Sequence, residues 1–155
     1  MKYLLLGTVS IFVFAANVNS VVASSKFKST VNKSTSNSTI LIAEAESLAS
    51  GDFVDVEHPT QGQASIIKEG NNRYLELNSD FQSDRGPALQ VILHRADTVD
   101  LKLEEGDYIS LGELQEFSGN QRYAIPDDID LSEYNSVAIW CEQFNATFGY
   151  APLTK

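Results

Sequence analysis

Cysteine is nearly absent from this sequence of 155 residues, in which Cys141 is the only one. A single cysteine excludes a disulfide within the sequence and also excludes the Cys-x-x-Cys-His motif that attaches haem covalently. The lone thiol leaves three interpretations open: an inert core residue, a redox thiol or ligand to a prosthetic group, or an intermolecular disulfide. Glu142 follows it directly, so the local sequence offers no cation that would activate a nucleophile.

Positive charge is scarce as well. The sequence has 11 lysines and arginines against 21 aspartates and glutamates, and its formal net charge is −10. A field of this sign repels the phosphates of nucleic acids and the headgroups of anionic lipids. We therefore expect neither nucleic acids nor anionic membrane surfaces among the partners.

Histidine and methionine are too few for the common metal and catalytic motifs. His58, His94 and Met1 are the only residues of these types. With Cys141 they match the ligand types of a blue-copper site, but no histidine follows Cys141 as a cupredoxin-like site would need. His94 alternates out of phase with the apolar residues of its run and is predicted to face outward. The acidic runs lack the pattern of a calcium loop, neither histidine carries a hydrolase signature, and we predict no metal site.

Only one long apolar run is present, and it lies at the N-terminus. Lys2 precedes the apolar stretch Tyr3–Ala16, and small residues follow up to Ala23, which is the pattern of a cleaved signal peptide. The stretch is shorter than the roughly 20 apolar residues that span a bilayer. We assign residues 1–23 to a signal peptide and expect a secreted chain, periplasmic or extracellular, with no membrane span after cleavage.

The next segment, residues 24–44, is rich in Ser, Thr, Asn and Lys over most of its length. Such a composition buries too little apolar surface to offset the entropy of ordering, so we predict a flexible tether. The remaining residues, 45–153, form a single predicted domain. Asn32, Asn37 and Asn145 begin glycosylation sequons, which have a meaning only in a eukaryotic host.

Beyond the tether, the apolar pattern consists of short β runs separated by turn residues. The runs are DFVDVEH, QASIIKE, RYLELNS, ALQVILHR, YISLGEL, QRYAIP, SVAIWCEQF and ATFGYAPL. No helix-length period lies between them. This spacing predicts an all-β domain, an antiparallel sandwich or barrel of about eight to ten short strands.

Alternation along the run SVAIWCE predicts where the thiol points. Cys141 shares a face with Val137 and Ile139, whereas Trp140 shares the other face with Glu142. The charge of Glu142 indicates that its face is the wetter one. Cys141 is therefore expected to point into the core.

Several motifs spread over residues 45–153 resemble one domain family. They are Gly51-x-Phe53, His58, Gly62, Phe81, Gly86-Pro87, Leu89, Leu111-Gly112-x-Leu114, Gly119-x-Gln121-x-Tyr123-x-Ile125-Pro126, Val137-x-Ile139-Trp140-Cys141-x-x-Phe144 and Phe148-Gly149-x-Ala151-x-Leu153. The Trp-Cys-x-x-Phe block, with Gly-x-Gln-x-Tyr upstream, is the most specific part. The sequence resembles the DM-thirteen domain, an electron-transfer domain found beside DOMON domains in extracellular proteins and alone in bacteria.

The resemblance implies a β-sandwich-like fold and an exported redox module centred on Cys141. The cysteine would act as a bare thiol or as the axial ligand of a non-covalently held haem-type group, with an extracellular or periplasmic redox partner. Trp140, Tyr123 and Phe144 would surround it, and His58 is a further candidate for cofactor binding. The sequence departs from the family at Ala88, where aspartate is common, and after Cys141, where basic residues are common.

A second function remains open at this stage. In it the domain is a non-catalytic extracellular binding or adhesion module, and Cys141 is an inert core residue. The sequence carries no nucleophile–base signature, so we do not expect a stand-alone enzyme.

Overall fold

The computed structural model describes residues 45–155, which form antiparallel β-strands and one short 3-10 helix. The strands are β1 (Glu46–Asp52), β2 (Val54–Asp55), β3 (Thr60–Gln61), β4 (Gln63–Glu69), β5 (Asn72–Leu77), β6 (Gln82–Ser83), β7 (Leu89–His94), β8 (Tyr108–Glu113), β9 (Gln121–Ile125), β10 (Ser136–Cys141) and β11 (Ala146–Pro152). The 3-10 helix is Leu131–Glu133. The predicted signal peptide, the predicted tether and the sequons at Asn32 and Asn37 lie outside the described residues.

Two sheets and a small ribbon organise these strands. One sheet has four strands in the order β1-β4-β5-β9, the other has five in the order β2-β11-β10-β7-β8, and β3 pairs with β6. All the pairs are antiparallel. The prediction of an all-β sandwich is confirmed. Over residues 45–155, no helix has the length and the apolar character that a membrane span requires.

The main core lies on the inner faces of both sheets and follows the period-2 alternation of the sequence. On β5, Leu75 and Leu77 are buried, and they lie opposite Ile66 and Ala64 of β4. Burying a leucine or isoleucine side chain stabilises the fold by about 1.5–3 kcal/mol. The same cluster contains Val137, Ile139 and Cys141 of β10, so the inward orientation predicted for Cys141 is confirmed.

The outer face of the five-stranded sheet is also apolar, which period-2 alternation did not predict. A second cluster is formed there by Ile92, Val99, Leu103, Ala138 and Trp140. The wetter face predicted for Trp140 is therefore wrong, and so is the outward exposure of His94, which is only 8% exposed. Trp140 is buried because the segment between β7 and β8 contributes Val99 and Leu103 and covers this face. His94 is buried at the start of the same segment, where its Nδ1 accepts a hydrogen bond from the N–H of Ala96.

The side-chain amide of Asn145 fastens that covering segment to the sheet. Its Oδ1 accepts hydrogen bonds from the backbone N–H of Leu103 (2.9 Å) and from Nε1 of Trp140 (3.0 Å), and its Nδ2 donates to the Leu103 carbonyl (3.1 Å). Asn145 has a φ of 45°, a left-handed conformation that asparagine tolerates better than most residues. Asn145 begins the third predicted sequon, and its Nδ2, the atom that glycosylation would modify, is hydrogen-bonded within the fold.

A second special turn, Gly86–Ala88, lies at the start of β7 and is called the cover segment below. A Cβ atom on Gly86 would lie 2.6 Å from Cζ of Phe148, so only glycine fits there. Ala88 has a φ of 48°, although its methyl group disfavours the left-handed region. The Ala88 carbonyl accepts a hydrogen bond from the N–H of Glu142 (3.1 Å), which holds the turn against the end of β10.

Replacing Asn145 tests the fastening of the outer segment. Glycine accepts the left-handed backbone, so Asn145→Gly should lower the free energy of unfolding by about 2 kcal/mol through the lost hydrogen bonds alone. Urea unfolding measures this loss, and the fluorescence of Trp140, the only tryptophan, should shift to longer wavelength. The exposed Asn120 makes no side-chain hydrogen bond in the described part of the chain, and Asn120→Gly measures the cost of added backbone freedom. Equal losses in both variants would show that the amide does not hold the segment.

Replacing Ala88 tests the strain in the cover segment. Glycine has no methyl group to clash in the left-handed region, so Ala88→Gly should raise the free energy of unfolding by about 1 kcal/mol. Ala124, an exposed residue of β9, provides the matched control, because the same change within a strand should lower stability by about 1 kcal/mol. Two losses of similar size would contradict a strained Ala88.

Candidate functional site

Cys141 is the last residue of β10 and is enclosed on both sides by neighbouring strands. It lies opposite Leu89 of β7 and Ala146 of β11, and it is 1% exposed. Its Sγ donates a hydrogen bond to the carbonyl oxygen of Pro87 in the cover segment (3.1 Å). The thiol group therefore has a backbone acceptor inside the fold.

A surface cleft of about 460 Å³ lies on the other side of the cover segment. It is lined by Glu57, His58, Arg85, Gly86, Pro87, Lys102, Phe144, Ala146 and Phe148. Two of these residues are also direct neighbours of Cys141, since Pro87 accepts its hydrogen bond and Ala146 lies opposite it on β11. The thiol is therefore separated from the cleft by the thickness of one residue.

His58 is positioned in this cleft by a carboxylate and an aromatic ring. Its Nδ1 lies 3.4 Å from Oδ2 of Asp84, and its ring centroid is 4.0 Å from that of Phe148. Within residues 45–155, Nε2 of His58 has no hydrogen-bond partner. A carboxylate on one ring nitrogen fixes the ring and leaves the other nitrogen available, as in histidines that bind metals.

The cleft also contains the positive charge that the sequence lacks after Cys141. The Arg85 guanidinium lies over the ring of Phe117, 4.9 Å from its centroid, and Nζ of Lys102 donates to the carbonyl of Phe144 (2.9 Å). Neither residue was among the predicted site residues. Arg85 directly precedes the Gly86-Pro87 motif, which was a usable signal, whereas Lys102 is hidden within an acidic run.

The structure brings together only part of the predicted aromatic surround. Phe144 lines the cleft and is 61% exposed. Trp140 packs in the outer cluster, where its ring centroid is 5.0 Å from that of Tyr108. Tyr123 shares the main core with Cys141 but lies on β9 of the other sheet.

Tyr123 has a structural environment of its own. Its hydroxyl donates to Oε1 of Gln121 (2.8 Å) and accepts from the N–H of Gln115 (3.0 Å). Burial raises the pKa of Tyr123, and the hydrogen bond from Gln115 opposes that shift in part. These contacts fasten the segment before β9, and they do not place the hydroxyl in the cleft.

The described residues contain no group of three or more His, Cys, Asp and Glu side chains arranged to hold a metal ion. His94 lies apart from the cleft, and its Nδ1 accepts a hydrogen bond from the N–H of Ala96 (3.1 Å).

Comparison with known proteins completes the description of the site. Neither the curated proteins nor the solved structures gave a match. A family model described as "Electron transfer DM13" matches residues 52–153, which include the cleft and Cys141. This match covers more than half of the sequence and supports an electron-transfer role in general terms. The chain belongs to the electron transfer DM13 family.

Proposed function

We propose that the chain is an exported electron-transfer module whose redox residue is Cys141, reached from the cleft. The observation that carries the proposal is the contact between Sγ of Cys141 and the Pro87 carbonyl, because it puts the only thiol directly behind the cleft. Membership of an electron-transfer family supports the general role. The signal peptide expected from residues 1–23 supports export.

The thiol becomes reactive in this proposal when the cover segment moves aside. The closed segment shields the sulfur, and the left-handed Ala88 lowers the cost of opening. Once the sulfur faces the cleft, Arg85 and Lys102 favour its reaction as a thiolate, because nearby positive charge stabilises a thiolate.

The chemical step is thiol–disulfide exchange with a redox partner that carries a disulfide. The Cys141 thiolate attacks one sulfur, the partner's S–S bond breaks, and a mixed disulfide forms while the released partner thiolate takes up the proton lost by Cys141. A dithiol donor then attacks the mixed disulfide, closes to its own disulfide and releases Cys141 and the second partner thiol. Two electrons and two protons have passed from the dithiol to the disulfide.

A haem-type group is the other form considered for the redox centre, and the two candidate ligands differ in fit. Cys141 does not fit as a ligand to such a group, because its Sγ is hydrogen-bonded to the Pro87 carbonyl and is buried behind it. His58 fits, because within residues 45–155 its Nε2 has no hydrogen-bond partner and its Nδ1 is next to Asp84. Arg85 and Lys102, which line the same cleft, would supply positive charge for the carboxylates of such a group. When bound, such a group supplies one-electron chemistry at its iron.

A specific observation also favours a second function, a non-catalytic binding module. Cys141 is enclosed in the main core and donates its S–H to a backbone carbonyl, which are the properties of an inert structural thiol. In that case the cleft would bind its ligand without any exchange of electrons at sulfur.

Visible spectroscopy distinguishes the two forms of the redox centre. The mature protein, purified from its own host, should show no Soret band before or after reduction with dithionite if the bare thiol is the redox group. A Soret band that shifts on reduction, disappears in His58→Ala and persists in Cys141→Ser would overturn the bare-thiol form and support a group held by His58.

Thiol labelling distinguishes the redox module from the inert one. We expect a neutral disulfide reagent, 4,4′-dithiodipyridine, to label native Cys141 through local opening of the cover segment, and dithiothreitol to reverse the labelling. Ala88→Gly should slow labelling about fivefold, as expected for about 1 kcal/mol, whereas Ala124→Gly should leave the rate unchanged. Labelling that occurs only through global unfolding, and is therefore faster in Ala124→Gly, would favour the inert module.

A further inference from the structure

The charge distribution in the cleft points to a ligand class that the redox chemistry of Cys141 does not specify. We infer that the cleft binds a small organic anion with a flat apolar part, such as an aromatic carboxylate. The inference does not depend on the proposed thiol chemistry, because it concerns binding by side chains that line the surface.

Two cations in the cleft keep their charge available to a ligand. Among the described residues, Arg122 and Arg95 are paired with carboxylates, whereas Arg85 and Lys102 form no such pair. The same holds for three cations outside the cleft, Lys68, Arg73 and Lys155. Arg85 lies over the ring of Phe117, and Lys102 donates to the backbone carbonyl of Phe144, a neutral acceptor. Both contacts orient the side chains and leave each positive charge without a carboxylate partner.

Two carboxylates lie at the cleft, since Glu57 lines it and Asp84 is beside His58. The net charge of −10 would by itself favour a cationic ligand. Charges separated by more than about 8 Å in solution are largely screened at physiological salt, so the distant carboxylates have little effect at the cleft. Within residues 45–155, neither Glu57 nor Asp84 forms an ion pair with Arg85 or Lys102, so an anionic ligand can approach both cations.

The apolar part of the ligand is indicated by the aromatic lining. Phe144 is the most exposed of the large apolar residues in the described region, at 61%. The partly exposed imidazole of His58 presents a second flat surface, and it stacks on the buried ring of Phe148, with ring centroids 4.0 Å apart. A ligand ring packed on Phe144 would remove apolar surface from water, which stabilises binding.

The size of the cleft limits the ligand to a small molecule. A volume of about 460 Å³ falls within the range of small-molecule sites, about 300–1,000 Å³. A one- or two-ring carboxylate satisfies both the cations and the aromatic surface of a cleft of this size.

The test uses three probes of nearly the same shape that differ in charge: 2-naphthoate, neutral 2-naphthamide and (2-naphthyl)methylammonium. Their dissociation constants are measured by NMR titration of the mature protein. We expect 2-naphthoate to bind about tenfold more tightly than the ammonium probe. Added salt should reduce this preference for the anion and leave the affinity of the neutral probe unchanged. Equal affinities, or tightest binding of the ammonium probe, would overturn the inference.

Substitutions assign the binding to the cleft. Arg85→Gln and Lys102→Gln should each weaken 2-naphthoate about three- to tenfold and leave 2-naphthamide unchanged, whereas Phe144→Ala should weaken all three probes. Lys68→Gln is the matched control, because Lys68 is an exposed cation outside the cleft, and it should change nothing. Loss of binding in Lys68→Gln to the same extent would show a non-specific charge effect and overturn the assignment.

Cys141→Ser separates this inference from the proposed function. The variant should bind 2-naphthoate like the unmodified protein, because the sulfur lies behind the cover segment rather than in the lining. Bound 2-naphthoate should also slow the labelling of Cys141, since it occupies the space into which the sulfur opens. If the protein binds the anion but its thiol is unreactive, the redox proposal alone is overturned. If the thiol is reactive but the cleft shows no preference for the anion, this inference alone is overturned.

Discussion

The side-chain amide of Asn145 is the interaction on which both the outer face of the sheet and the cleft depend. Through Leu103 it holds the segment between β7 and β8 against the sheet, and through Trp140 it satisfies the indole nitrogen of the outer cluster. The same attachment keeps Lys102 beside the carbonyl of Phe144. One side chain therefore supports both the buried outer cluster and the position of a cation in the cleft.

Period-2 alternation is enough to predict the sandwich and the burial of Cys141, because both depend on residues close in the chain. It fails for His94 and for Trp140, and the residues that cover Trp140 come from another segment. The cleft was beyond prediction for the same reason. His58 and Asp84 are 26 positions apart, and Lys102 and Phe144 are 42 apart, so only the paired strands determine these neighbours.

The site combines a protected sulfur with an open surface that carries two cations, and these two features have opposite requirements. A thiol that donates to a carbonyl in an apolar core is stable against oxidation, but it is also slow to react. The cover segment reconciles them, since a single turn with one left-handed alanine separates Cys141 from His58, Arg85 and the aromatic lining. In the proposed redox function, reactivity depends on a local opening rather than on a permanently exposed nucleophile.

The hydrogen bond between Cys141 and Pro87 also has a consequence for the time course of folding. It joins residues 54 positions apart, and both β-strands beside Cys141 must be paired before the sulfur is enclosed. Contacts of such long sequence separation form slowly, because the intervening chain must be ordered first. The nascent protein therefore passes through a stage at which its only thiol is unshielded, and oxidative damage during maturation should concentrate there rather than in the finished molecule.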